Sequence, residues 1–254
     1  MEKTKTLNLR TRPEPHNTQF VEAMATYHFV KDLVKGLRVL DAGCGFGYGT
    51  EHLAGYANEV TGVDFSPSTI EWAKKRYRKN NINFITADIT HLGFPDEYFD
   101  AVCCFETIHG IKEHERVLDE LRRVLKRRGL FFISTRRKIT ESGGFDPEHI
   151  RKFTSGELGR LLSASGFGMA DIYALTRPKE VYKIEARLKV MRIFDPFNLR
   201  RFLPRRLISF LVYFISRAAK IKPPQEMLYE NFYISKDDGK SDSPGILAIC
   251  KKAG

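Results

Sequence analysis

The sequence of 254 residues lacks the marks of exported, membrane-spanning and zinc-binding proteins. Its four cysteines form no Cys-x-x-Cys pair, so we expect free thiols in a reduced compartment, the cytoplasm. The polar, basic first twenty residues hold no apolar stretch of the signal-peptide type. No apolar run reaches the roughly 18–20 residues that span a bilayer. The histidines and cysteines show no spacing suited to zinc, so we expect no metal site.

Positive charge is concentrated in one part of the chain. The net charge is +11, and residues 187–222 hold ten basic residues against one acid, a net charge of +9. The rest of the chain is therefore nearly neutral. A hydrophobic content of 42% is enough for a sizeable core, and the length suits one α/β domain with an insertion.

The most informative motif is a glycine-rich turn. An apolar strand ends at Asp41, and glycines follow at 43, 45, 47 and 49. Glycines let the backbone bend sharply and bring ligands close to the N-terminus of the next helix. The dinucleotide fingerprint Gly-x-Gly-x-x-Gly would need a glycine at the position of Tyr48. Asp41 would repel a pyrophosphate and attract an ammonium or sulfonium group, and S-adenosylmethionine (SAM) carries both.

Two further acids end the strands that follow. Asp64 comes about 20 positions after the turn, where a ribose is held through its hydroxyls. Asp88 closes the next short strand, where we expect it to bind the adenine amino group. Strands and helices alternate after residue 36, which predicts parallel βαβ units. The predicted fold is α/β, with helices near 18–35 and 112–127, and with strands near 129–135 and 167–176 among others.

Over residues 37–176 the sequence resembles the class I SAM-dependent methyltransferases of the broad small-molecule type. The resemblance rests on the Asp41–Gly49 loop, Asp64, the Ala87-Asp88-Ile89 triplet and Phe-Asp-Ala-Val at 99–102. It implies a Rossmann-like, seven-stranded, mostly parallel sheet with helices on both faces, and a last strand at 245–251 lying antiparallel beside the fifth. The residues expected to bind SAM are Asp41, Gly43, Cys44, Gly45, Gly47, Asp64, Phe65, Asp88, Ile89, Phe105 and Glu106.

We expect a single methyltransferase domain with four parts. These are an N-terminal helical segment (1–36), the SAM-binding core (37–177), a basic cap insertion (178–242) and the last strand (243–254). The insertion is predicted to cover the acceptor side of the cleft. Its apolar residues, among them Tyr182, Phe194, Phe197 and Phe202, would line an acceptor pocket or form only the insertion's own core.

Two histidines are candidates for a general base. His109 follows the fourth strand, at the end of the sheet where ligands bind in open α/β folds, and imidazole accepts protons at neutral pH. The alternative for His109 is a structural or solvent-facing role. His149, on the loop after the fifth strand, is the second candidate. Glu106 is expected to line the methionine end of SAM or to lie before a helix start.

The acceptor is predicted to be a small or lipid-linked molecule, methylated on oxygen or, as second choice, on carbon. Arginines flank an apolar run in residues 200–222, a pattern typical of peripheral contact with anionic membranes. The alternative is a helix packed on the core with solvated arginines. An RNA methyltransferase is a further alternative because clustered basic residues attract phosphates. A non-catalytic SAM-binding protein is the third. The sequence identifies neither the acceptor nor the oligomeric state.

Overall fold

The computed structural model describes residues 18–138, 151–176, 233–238 and 243–253. The basic stretch 187–222 and His149 lie outside these ranges. The described helices are α1 (Thr18–Val30), α2 (Tyr48–Leu53), α3 (Pro67–Arg76), α4 (His114–Val124) and α5 (Ser155–Ala164). The described strands are β1 (Arg38–Ala42), β2 (Glu59–Asp64), β3 (Ile82–Thr86), β4 (Phe99–Phe105), β5 (Leu125–Arg136), β6 (Asp171–Thr176), β7 (Tyr233–Lys236) and β8 (Gly245–Lys251).

The strands form one sheet in the order β3-β2-β1-β4-β5-β8-β6-β7. Neighbours from β3 to β5 are parallel, and β8 lies antiparallel between β5 and β6. The predicted α/β class and the antiparallel last strand beside the fifth are confirmed. The order reverses between β1 and β4, which is where ligands bind in folds of this kind.

The strand count differs from the prediction, since the sheet has eight strands rather than seven. The additional strand β7 lies within the range assigned to the cap insertion. It pairs antiparallel with β6, from Tyr233 opposite Thr176 to Lys236 opposite Tyr173. Pairing satisfies backbone groups that β6 would otherwise present at an open edge. The end of the insertion thus belongs to the sheet.

Three element boundaries also differ. The first helix ends at Val30 rather than 35 and is followed by turns up to Gly36, which has a φ of 71°. The helix predicted to reach 127 ends at Val124, because Leu125 is buried and pairs with Phe99 of β4. The sixth strand begins at Asp171 rather than 167.

Helices cover both faces of the sheet, as predicted. On one face, Tyr27 and Val30 of α1 and Leu53 of α2 pack with Phe132 of β5. On the other face, α4 and α5 pack against Phe131 and Ile133 of the same strand. Successive side chains of β5 point to opposite faces of the sheet, so this strand contributes to the apolar core on each face. The sequence Thr-Ser-Gly-Glu at 154–157 is a capping-box pattern, and it fixes the start of α5: Thr154 and Glu157 each accept a hydrogen bond from the other's backbone N–H.

Candidate functional site

The glycine turn after β1 has a conformation that requires glycine. Gly43, Gly45 and Gly47 have φ values of 81°, 53° and 77°, a region that side chains disfavour. A Cβ on Gly43 would lie 2.3 Å from Oγ1 of Thr107, and one on Gly47 would lie 2.6 Å from the ring of Phe84. The turn therefore packs directly against the residues that end β4 and against β3.

Four backbone amides of this turn donate hydrogen bonds to acceptors within the protein. The N–H groups of Gly43 and Cys44 both donate to the carbonyl of Val63, and the N–H of Gly47 donates to the carbonyl of Cys44. The N–H of Gly45 donates to Oδ2 of Asp64 at 3.2 Å. These four amides do not form the anion cradle of a dinucleotide-binding turn. The arrangement favours a cationic over an anionic ligand group at this position.

Asp41 lies beneath the turn and is fully buried. Its Oδ1 accepts a hydrogen bond from the Tyr27 hydroxyl at 2.9 Å, and its Oδ2 accepts one from Thr50 Oγ1 at 2.6 Å. Burial raises the pKa of Asp41 to about 6, and the two hydrogen bonds partly oppose this increase. The carboxylate joins α1, β1 and α2 at one point.

The fourth glycine of the motif, Gly49, makes room for the ring of Tyr27. A Cβ on Gly49 would lie 1.9 Å from Cζ of the Tyr27 ring, so this ring rests directly on the first turn of α2. The same ring packs edge-to-face on Phe105 at a centroid distance of 4.8 Å. Tyr27 therefore connects Asp41 to the end of β4.

Asp64 is 6% exposed at the end of β2. Besides the bond from Gly45, its Oδ1 accepts a hydrogen bond from the N–H of Ser66 at 2.9 Å. Phe65, which follows it, is half exposed, whereas Ile89 is buried. Asp88 is exposed, and its Oδ1 accepts hydrogen bonds from the N–H and hydroxyl of Thr90.

The end of β4 brings Phe105, Glu106 and His109 together. Phe105 is buried, and Glu106 has a φ of 50°. The Glu106 N–H donates to the Ser134 carbonyl, and the Ser134 hydroxyl donates to Oε1 of Glu106 at 3.2 Å. His109 lies in the short 3-10 helix Ile108–Gly110 with 4% of its surface exposed, and its carbonyl accepts the N–H of Arg151.

Sequence reasoning missed the residues that hold the predicted ones in place. Tyr27 and Thr50 bind Asp41, Thr107 packs on Gly43, and Ser134 binds Glu106. Tyr27 precedes the motif in a separate helix, so no local spacing identifies it. Thr50 carried a weak signal, because it is a polar residue at the start of a helix that follows a ligand-binding turn.

The described residues hold neither a metal site nor a membrane span. Across the described ranges, no three His, Cys, Asp or Glu side chains are arranged to hold a metal ion. None of the described helices has the length and apolarity that a bilayer crossing requires.

Comparison with known families identifies the core. Residues 40–133 match the methyltransferase domain family, and this range holds the glycine turn, Asp64 and the end of β4. The matched residues are similar to methyltransferase domains of the class I SAM-dependent type. A solved 1,6-didemethyltoxoflavin-N1-methyltransferase from Burkholderia thailandensis, with bound 1,6-didemethyltoxoflavin and S-adenosylhomocysteine, shares its fold. The TM-score is 0.57 at 16% identity, over 93% of this chain and 80% of that one.

Curated relatives resemble the methyltransferase domain over part of their length. A probable S-adenosylmethionine-dependent methyltransferase of Mycolicibacterium smegmatis is 33% identical over 156 residues, 60% of each chain. A ubiquinone biosynthesis O-methyltransferase of Coxiella burnetii is 36% identical over 104 residues, 40% of this chain and 44% of the relative. This chain thus spans less than two thirds of the length of either relative.

The buried Asp41 predicts a pH dependence of folding stability. Its folded pKa near 6 exceeds the ordinary value, so the folded state retains a proton that the unfolded state releases. The contribution of Asp41 to stability is full below about pH 4 and is lost as the pH rises through about 6. The wild type should therefore lose about 2–3 kcal/mol between pH 4 and 7.5 relative to Asp41→Asn, which cannot titrate.

Urea denaturation of both proteins at several pH values measures this difference. Asp119→Asn is the matched control for the same substitution at an exposed site, because Asp119 is exposed on α4. A constant difference between wild type and Asp41→Asn from pH 4 to 7.5 would contradict the raised pKa.

Proposed function

We propose that the protein transfers the methyl group of SAM to a small or lipid-linked acceptor, by O-methylation. The observation that carries this proposal is the glycine turn over the buried Asp41, with four of its amides bonded inside the protein. A turn with few available donors over a carboxylate suits the ammonium and sulfonium of SAM better than a pyrophosphate.

The residues present fit SAM. Asp64 lies at the end of β2, where its carboxylate oxygens would accept hydrogen bonds from the ribose hydroxyls. Phe65 offers a half-exposed ring beside it, and Asp88 an exposed carboxylate for the adenine amino group. The turn and Glu106 would hold the methionine end. SAM supplies an activated methyl group, so the chain's main contribution is to hold donor and acceptor in line and to exclude water.

Two comparisons support the acceptor class. The relative from Coxiella burnetii is named as an O-methyltransferase of ubiquinone biosynthesis, and the structural neighbour from Burkholderia thailandensis holds a small heterocycle. A hydroxyl acceptor requires removal of a proton, and we propose His109 as the base that takes it. His149 remains the second candidate. The insertion 178–242 is proposed to cover the acceptor.

Loss of Asp64 should weaken ligand binding. Asp64→Ala removes the proposed ribose contact and the bond to the Gly45 amide, so it should lower affinity for S-adenosylhomocysteine by about tenfold or more. Isothermal titration calorimetry measures this, with Asp119→Ala as the control for removal of an exposed carboxylate. Absence of binding to the wild type, or equal affinity of Asp64→Ala, would overturn the donor site.

Loss of His109 should slow the reaction without weakening donor binding. His109→Ala should lower turnover by about 10²–10⁴-fold, because one general base contributes about this factor. The assay follows tritium from [methyl-³H]SAM into aqueous and lipid extracts of the source cells. His91→Ala, at an exposed histidine, should retain wild-type turnover.

The outcomes of this assay separate the alternatives. Full activity in His109→Ala together with loss in His149→Ala would assign the base to His149. Absence of transfer by the wild type into either extract would contradict the enzymatic proposal and favour a non-catalytic SAM-binding protein.

The basic residues 200–222 are proposed to attach the enzyme to anionic membranes. Each Lys or Arg near such a surface contributes about 1 kcal/mol. Co-sedimentation should show binding to vesicles containing phosphatidylglycerol but not to phosphatidylcholine vesicles. The binding should weaken with salt and on replacement of Arg200, Arg201, Arg205 and Arg206 by Glu. Binding of RNA without binding of anionic vesicles would favour the RNA methyltransferase instead.

A further inference from the structure

A small pocket with both polar and apolar walls lies beside the proposed donor site. Its volume is about 40 Å³. The described residues around it include Glu22 and Thr26 of α1, Glu106 after β4, Arg136 of β5 and Gly245 of β8. A single water needs about 10–15 Å³, so the pocket accommodates a few waters or a group the size of a carboxylate.

The position of the pocket assigns it to the acceptor rather than to the donor. The glycine turn, Asp64 and Asp88 follow β1, β2 and β3, which form one half of the sheet. The pocket lies at the ends of β4, β5 and β6 and the start of β8, which form the other half. Glu106 stands at the boundary between the two halves. A group in this pocket therefore lies on the opposite side of Glu106 from the nucleoside.

On the face of β5 that packs against α1, the side chains change from apolar to polar toward the pocket. Leu130 and Phe132 belong to the apolar core on this face. Ser134 and Arg136 follow on the same face, since side chains alternate along a strand. Arg136 pairs across the sheet with Gly245, which in turn pairs with Leu175. A Cβ on Gly245 would lie 3.1 Å from Cβ of Leu175, so glycine allows the close packing of β8 on β6 at this wall of the pocket.

The guanidinium of Arg136 forms a long ion pair with Glu106. Its Nε lies 3.8 Å from Oε2 of Glu106, which is longer than a hydrogen bond. Within the described part of the chain this is the one side-chain ion pair of Arg136, and a third of the side chain is exposed. Glu106 is held by the Ser134 hydroxyl through its other oxygen. Glu106 can thus orient Arg136, and Arg136 also lines the pocket.

We propose that Arg136 binds a carboxylate of the methyl acceptor and so determines which acceptors are used. This inference rests on the proposed methyl transfer. The planar guanidinium matches a carboxylate with two parallel hydrogen bonds. Glu22 and Glu106 on the same walls disfavour a dianion such as phosphate. The acceptor class is thus a carboxylate-bearing molecule.

The test compares a carboxylate with its neutral counterpart. Isothermal titration measures the affinity of the full chain, saturated with S-adenosylhomocysteine, for 3-hydroxybenzoate and for 3-hydroxybenzamide. The wild type should bind the benzoate about tenfold more tightly or better, because hydrogen bonds to charged groups contribute that much. Arg136→Gln should remove this preference, and Arg136→Lys should retain a few-fold preference. Arg116→Gln, at an exposed arginine of α4 on the opposite face, should keep it in full.

Each result decides between alternatives. Equal affinity of the wild type for both probes overturns the carboxylate site, whatever the variants do. A preference that survives in Arg136→Gln overturns the role of Arg136. Both results leave methyl transfer intact if S-adenosylhomocysteine still binds, whereas failure of the wild type to bind S-adenosylhomocysteine refutes the donor site itself.

Discussion

The buried carboxylate of Asp41 is the constraint on which the rest of the site depends. A buried charge is costly unless it is paired or hydrogen-bonded, and here the hydroxyls of Tyr27 and Thr50 reduce that cost. Each hydroxyl comes from a different helix. Asp41 therefore holds α1 and α2 at the end of β1. Its carboxylate lies directly beneath the glycine turn that joins β1 to α2.

Tyr27 connects Asp41 to the end of β4, next to the pocket that we assign to the acceptor. Its ring lies on Gly49 and packs against Phe105. The residue after Phe105 is Glu106, which the Ser134 hydroxyl binds from β5. One continuous set of contacts therefore runs from the donor turn to the pocket that holds Arg136. Both halves of the proposed site are therefore held by the same sheet. A rigid frame of this kind suits a reaction that requires donor and acceptor in line.

The sequence predicted what depends on local chemistry. The turn after β1, Asp64 at the end of β2 and the capping box of α5 each follow from residue types at fixed spacing. The mostly parallel sheet and the antiparallel last strand followed from the family resemblance. Contacts between distant segments were not predictable, and Tyr27 on Asp41 is the clearest case. Strand β7 was missed because its pairing with β6 crosses the long insertion, and because the four residues of β7 have no distinctive pattern of their own.

A cationic donor placed over the buried carboxylate of Asp41, as we propose, must change the titration of that carboxylate. Carbon-13 NMR of protein labelled at the aspartate side-chain carboxyls, with Asp41→Asn to assign the signal, follows the titration of this group directly. The account predicts a pKa near 6 in the free protein, and a lower pKa with SAM bound, because a nearby positive charge favours the ionised form. A pKa near 4 in the free protein, or a titration that SAM does not change, would contradict it.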